Sequence, residues 1–303
     1  MLKKDIPTGI VVYRGPSQID GAPIRVIVTG FKETSANDKT GDMLQSWIIR
    51  SDIVGYEAVK SGKDYSVCHL CPHKSFGSCY VCVEKAPTSV FGAYHRDSYI
   101  DFDIDKHSQF FKGRKIRVGS YGDPGAVPIS VWKTVCGLTS GHTGYTGLWN
   151  QDFIDQDLKN YCMASVITKS DYFKAKSLGW RTFRIRPYDS IESCQKETKS
   201  ILMLNESVVC ESEMLCPASK EMGKVSNCLK CNACSGIDSS IKKDVCIVVH
   251  GLEHKIKKFR NGLMKKLNKK KYLKEFSYPR KKKNVKKSSI KVKKIVSKVE
   301  ELV

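Results

Sequence analysis

"KIRVGSYGDPGAVPISVWKTVCGLTSGHTGYTGLW", residues 115–149, is the stretch that decides the fold. Its first ten residues form a short strand that runs into glycine and an Asp-Pro turn. Val127, Val131, Val135 and Leu138 then recur at helical spacing, and "TGYTGLW" is strand again. Strand, crossover helix and strand make the unit of a parallel sheet. The rhythm repeats with a helix near 153–161, a strand at "YCMASVI", a helix over "SDYFKAKSLG" and a strand at "WRTFRIRPYD". A loop or helix through "SIESCQKETKS" leads to strands at "SEMLCP" and "VCIVVHG". Six strands thus follow residue 115, and "GDMLQSWIIR" (41–50) is a seventh. Upstream, residues 9–31 alternate and are broken by "GP" and "DG", the pattern of an antiparallel hairpin. No G-x-G-x-x-G opens a helix, so nothing favours a dinucleotide-binding sheet. The expected fold is α/β, a βα barrel or partial barrel of about six to seven parallel strands. A hairpin extension covers 1–40, the cysteine-bearing barrel 41–254, and a basic helix and tail 255–303.

Charge marks the last of these segments. The chain carries a net +21, but 255–303 holds 20 Lys and Arg against three acids, a net +17. The body is nearly balanced. Ile256, Phe259, Leu263, Met264 and Leu267 lie at helical spacing, which predicts a basic amphipathic helix over about 252–270. Beyond it, 277–288 reads as disordered, and Val292, Ile295, Val296, Val299 and Leu302 as a short surface helix. Such a tail suits sequence-indifferent binding to nucleic acid, with a solubilising extension as the plainer alternative.

The cysteines carry the chemistry. "MLKKDIPTGIVVYRG" has no apolar segment of signal-peptide type, and no run of eighteen apolar residues is present. The expected location is therefore the cytoplasm, without a membrane, where clustered thiols bind metal more often than they pair. Thirteen cysteines, an odd number, also fit a disulfide framework poorly. Cys216, Cys228, Cys231 and Cys234 end in the compressed C-x2-C-x2-C spacing that holds iron–sulfur clusters, which zinc also accepts. Cys68, Cys71, Cys79 and Cys82 form C-x2-C-x7-C-x2-C, for which zinc and a cluster stand even. His69 and His73 flank Cys71 as alternative ligands or loop hydrogen-bond donors. Cys136, Cys162, Cys194, Cys210 and Cys246 read as small buried hydrophobes.

In a βα barrel the working groups stand at the C-terminal ends of the strands. Both cysteine sets are accordingly expected in loops at that one end. Asp123 is a candidate general base there, or a turn former before proline. Arg184 and Arg186, two residues apart, are candidates to grip phosphate or carboxylate in the barrel mouth, or to form a salt-bridged strand end. His250, at a strand terminus, reads as a packed histidine before a catalytic one.

The series "CPHK…CYV", "RVGSYGDPGAVPISVW", "GYT…W", "MASV", "GWRTFRIRP", "CPAS…G…C..C..C" and "HG" resembles bacteriophage and plasmid-borne proteins over about residues 40–251. It looks more distantly like the phage gene product eighty-eight family, a resemblance that implies a viral context and a host-cell cytoplasmic location. That family often lacks a cysteine at the position of Cys82, which is expected to matter less than Cys68, Cys71 and Cys79. A second likeness is to radical S-adenosylmethionine enzymes, which hold a four-iron cluster through three cysteines after the first barrel strand. It implies Cys68, Cys71 and Cys79 as cluster ligands, with Gly119 and Gly122 of "GSYGD" at the cofactor's amino group and Ser165 near its ribose. The spacing departs from that family's C-x3-C-x2-C. Two functions follow as expectations. One is a cluster-dependent enzyme, of radical type, acting on a nucleotide or nucleic acid, with Asp123 and Arg186 as its catalytic candidates. The other is a zinc-stabilised nucleic-acid-binding protein without catalysis. A rolling-circle nickase is excluded, because no H-x-H pair occurs.

Overall fold

The computed structural model describes residues 6–34, 37–237 and 239–276, with side chains as far as 269. The expected disordered stretch over 277–288 and the short helix after it lie outside the described residues. The chain divides into two compact units, Met1–Met264 and Lys265–Val303. The first contains the whole sheet.

Ten strands form that sheet: β1 Gly9–Pro16, β2 Pro23–Thr29, β3 Leu44–Arg50, β4 Ile100–Asp101, β5 Lys115–Tyr121, β6 Gly141–Thr146, β7 Met163–Val166, β8 Thr182–Arg186, β9 Glu213–Leu215 and β10 Asp244–Val248. Their order is β4-β1-β2-β3-β5-β6-β7-β8-β10-β9. From β3 to β9 every pairing is parallel, so seven strands run one way. β1 and β2 form the expected antiparallel hairpin. It is no appendage, because β2 pairs along β3 from Ile24↔Arg50 to Thr29↔Gln45. That pairing also explains why the sheet is not a closed barrel. The hairpin takes the backbone groups on the free edge of β3, so no strand from the other end can dock there. β4 and β9 remain as edges.

The crossovers form where local chemistry predicts them. Helix Ile129–Gly137 buries Trp132, Val135 and Cys136 on one stripe. Helix Lys169–Ser177 starts at Thr168, whose Oγ1 accepts from Asp171 N at 3.0 Å, and it buries Tyr172 and Ala175. The expected basic helix spans Glu253–Phe276, and it buries Phe259 and Leu263 completely. Helices Gly55–Ser61 and Ala86–His95 carry no comparable periodic signal in the sequence.

Strand alternation separates two cores. The larger includes Ile48, Ile116, Val118, Ala164 and Val166 together with Trp132 and Trp180. The opposite face of β6–β10 gives a smaller cluster: Met163, Phe183, Val245 and Ile247, joined by Cys216, Ala218, Ala233 and Cys234. The segment after β9 thus covers one sheet face, and two of the four residues it gives to this cluster are cysteines.

Arg184 and Arg186 have the other parity from Phe183 and Ile185 and are fully buried. Arg184 donates to Glu213 through Nε (2.7 Å) and Nη2 (2.6 Å), so it ties β8 to the edge strand β9 across β10. Arg186 pairs with Glu221 and donates to the Ser207 carbonyl at 2.7 Å. The salt-bridged alternative describes both arginines, and neither faces an open mouth.

Candidate metal centre

Cys216 follows β9 directly, and its N–H donates to the Cys246 carbonyl of β10 at 2.8 Å. The chain then returns along the sheet face to the far end of the strands. Cys228 N–H donates to Lys39 O (2.8 Å), Leu229 N–H to Thr40 O (3.2 Å) and Ile237 N–H to Lys159 O (2.9 Å). Lys115 Nζ donates to Leu229 O at 2.8 Å. These partners precede β3, β7 and open β5, so 228–237 sits at the N-terminal ends of the parallel strands. The local geometry is capped from within. Asn227 Oδ1 accepts from Lys230 N at 3.0 Å, and Asn232 ends the single helical turn in the left-handed region at φ 51°.

Cys216, Cys228, Cys231 and Cys234 thereby line one cavity of about 20 Å³, closed by Thr143 and Tyr145 of β6 and Val245 of β10. Burial raises the thiols of Cys216 and Cys228, and it pushes Cys234 up to about 12. Two cations oppose that rise: Lys39 beside Cys216 and Cys228, and Arg117 of β5 beside Cys228. Lys39 is itself held down by burial and favoured by the thiolates of Cys216, Cys228 and Cys234. Arg117 donates to Tyr80 Oη at 2.7 Å, while its buried Nε has no hydrogen-bond partner. Neither Lys39 nor Arg117 is ion-paired with a carboxylate among the described residues.

The second set lies elsewhere. Cys68 ends a turn at Tyr65–Cys68, and the carbonyl before it, Val67 O, accepts from Asp123 N at 2.6 Å. Cys68, Cys71 and Cys79 are therefore at the C-terminal end of β5, close enough that Cys71 and Cys79 raise the Cys68 thiol after burial has done so. Cys82 is exposed, whereas those three are partly buried. The expectation that both sets share one end of the sheet is corrected for three of the four downstream cysteines: Cys216 leaves the C-terminal end of β9, whereas Cys228, Cys231 and Cys234 sit toward the N-terminal ends. The reason is the backward run of 217–237, which strand periodicity does not register. Among the described residues, no three or more His, Cys, Asp or Glu side chains are gathered as metal ligands.

The remaining candidates are fixed by packing. Gly119 (φ 73°) lies within β5 and Gly122 (φ 78°) in the turn after it, where a Cβ on Gly122 would lie 2.6 Å from Ile48 Cβ. A Cβ on Gly119 would meet Pro124 Cδ at 2.9 Å. Both glycines face protein, not an open cradle. Asp123 accepts from Thr146 Oγ1 (2.7 Å), Gly147 N (2.7 Å) and Gly125 N (2.9 Å), so it knots the ends of β5 and β6. Burial raises its carboxyl against those three donors. Ser165 is half-buried on the face of Met163, and its carbonyl accepts from Trp149 Nε1 at 3.2 Å. Cys136, Cys162, Cys194 and Cys246 are buried as expected, and Cys210 is half-buried. Sequence reasoning missed Lys39, Arg117 and Tyr145. The only signal was that Arg117 interrupts the apolar "IRV" of β5 with the parity opposite to Ile116 and Val118. No protein-family model, curated protein or solved structure matches this chain.

Proposed function

We propose that the chain is a thiolate metal protein built on an open βα barrel, with one zinc ion held by Cys216, Cys228, Cys231 and Cys234. One observation carries the reading: four cysteines from a single segment line one small cavity beside two cations without carboxylate partners. Zinc with four thiolates carries a net charge of about −2, which Lys39 and Arg117 would balance. Four neutral thiols would leave both cations uncompensated in a desolvated place, which is costly. The volume favours zinc over a cluster. About 20 Å³ accommodates roughly one water-sized body, whereas a four-iron cube brings eight atoms. A site with four protein ligands is closed, so its role is structural, joining the start of the returning segment at Cys216 to its end at Cys228–Cys234.

Two contacts support the curl of the sheet. β3 and β10 are five strand spacings apart, about 24 Å in a flat sheet. Yet Lys39, just before β3, approaches His250, just after β10, at 3.3 Å. His73, after β3, stacks on Phe259 of the helix after β10 with ring centroids 5.7 Å apart. An open barrel joined by side chains rather than by a ladder accounts for both.

The test is metal content of the purified full chain and of its Cys231→Ser variant. Loss of one zinc together with a lower unfolding midpoint supports the site. Equal metal content and stability in the two proteins refutes it.

A second reading is favoured by the placement of Cys68, Cys71 and Cys79 at the C-terminal end of the parallel strands, where βα folds do their chemistry. With Cys82 exposed, the trio leaves a fourth position open. It suits an iron–sulfur cluster, which would supply the reductive cleavage of S-adenosylmethionine implied by the resemblance to radical enzymes. A brown anaerobic preparation that loses colour in Cys68→Ser supports it, and a colourless one refutes it. On either reading the basic tail is proposed to hold nucleic acid without regard to sequence.

A further inference from the structure

Beside the cysteine site opens a cavity of about 600 Å³ that neither cysteine set uses. Its walls come from the loop before β3, the segment following Cys216, and the end of β10. Lys39, Lys220, Lys224 and Lys230 line it with a single acid, Asp38, a net of +3. The other nearby carboxylate, Glu221, is engaged by Arg186. None of the four lysines is ion-paired among the described residues.

Lysines on a solvated face are ordinary, and they normally point away from one another. These four border one concavity, and parts of it are fixed. His250 Nδ1 lies 3.1 Å from the Val248 carbonyl, which can only accept, so that nitrogen carries the proton. Nε2 is then a lone-pair acceptor for Lys39 Nζ at 3.3 Å, and a neutral imidazole holds the ammonium in place. Lys224 sits at φ 54° in a turn closed by its own N–H to Ser219 O at 2.8 Å.

We propose that this cavity binds a small polyphosphate-bearing ligand of nucleotide size. The volume falls within the range of about 300–1,000 Å³ typical of small-molecule sites. A lone carboxylate would leave most of the +3 unmatched. A di- or triphosphate matches it, and the space left over suits a nucleoside. Ammonium groups bind phosphate as point charges, so four around one cavity serve several phosphates without demanding one geometry. The inference depends on neither metal reading: with Lys39 given to the thiolates, Lys220, Lys224 and Lys230, exposed and outside the cysteine cavity, still leave +2 against Asp38.

The test is calorimetric titration of the full chain with adenosine triphosphate, with adenosine and inorganic triphosphate as comparison probes. The wild type should bind one triphosphate saturably and adenosine not at all. The Lys220→Ala, Lys224→Ala, Lys230→Ala triple variant should bind at least about tenfold more weakly, about 1.4 kcal/mol, with its metal content unchanged. Lys224→Glu alone should weaken binding in the same direction. The tail stays intact in both variants, so any polyanion binding by the tail is common to all samples. Equal affinity in wild type and variants, or no wild-type binding at millimolar triphosphate, overturns the proposal. If a short oligonucleotide loses affinity in the variants and the triphosphate does not, the phosphates belong to a strand, and the small ligand is overturned.

Discussion

At the scale of single residues, two positions separate packing from chemistry. Gly122 has φ 78° and no room for a Cβ beside Ile48. Gly122→Ala should therefore cost about 2–3 kcal/mol of stability through strain and overpacking, read as a lower denaturant midpoint. A variant as stable as wild type would mean that the glycine serves something other than the turn. Lys39 is predicted to act on the metal through charge. Lys39→Met keeps the stem and removes the ammonium, so zinc affinity should fall by about 10–100-fold, as for other outer-shell changes, measured by chelator competition. Unchanged affinity would remove Lys39 from the site. That Cys228, Cys231 and Cys234 come together was legible from their C-x2-C-x2-C spacing, and all four downstream cysteines line one cavity. Lys39 and Arg117 were not legible. Each is distant in sequence from the cysteines, and only the return of 217–237 along the sheet brings them near.

Among elements, the edge strand β9 is the weak point. It has three residues and pairs on one side only. The Arg184–Glu213 bridge holds it from two strands away, with both side chains fully buried. Glu213→Ala would strand a buried guanidinium, at a cost of about 3–5 kcal/mol, and thermal unfolding would report it. The double change Arg184→Met, Glu213→Leu should recover much of that loss, because apolar residues of similar size replace buried pairs at little cost. Failure of the double variant to recover stability would mean the pair does more than satisfy itself. The parallel strands were legible because each combines apolar alternation with a terminal turn signal. Where β9 and β10 exchange places at the edge was not, since periodicity fixes strand and direction but not neighbours. The hairpin shows the same limit: its two strands were readable, and its union with β3, which keeps the sheet from closing, was not.

On the scale of the whole molecule, charge is unevenly divided along the chain. Residues 265–303 hold 16 Lys and Arg against three acids, while the first unit carries the sheet and both cysteine sets. Truncation after Met264 keeps Phe259 and Leu263, which are fully buried, and removes most of the basicity. The truncated protein should lose affinity for random-sequence DNA, and the remaining binding should fall less steeply with salt. Binding equal to that of the whole chain would move the nucleic-acid surface into the first unit. No helix among the described residues is long and apolar enough to cross a membrane. The central claim, a single zinc among four thiolates, is tested most directly by X-ray absorption at the zinc edge. The sample is the full chain carrying Cys68→Ser and Cys79→Ser, so that only the downstream set reports. Four sulfur neighbours at about 2.3 Å, lost on adding Cys231→Ser, is the predicted result. A first shell of nitrogen and oxygen, or iron in place of zinc, would contradict it.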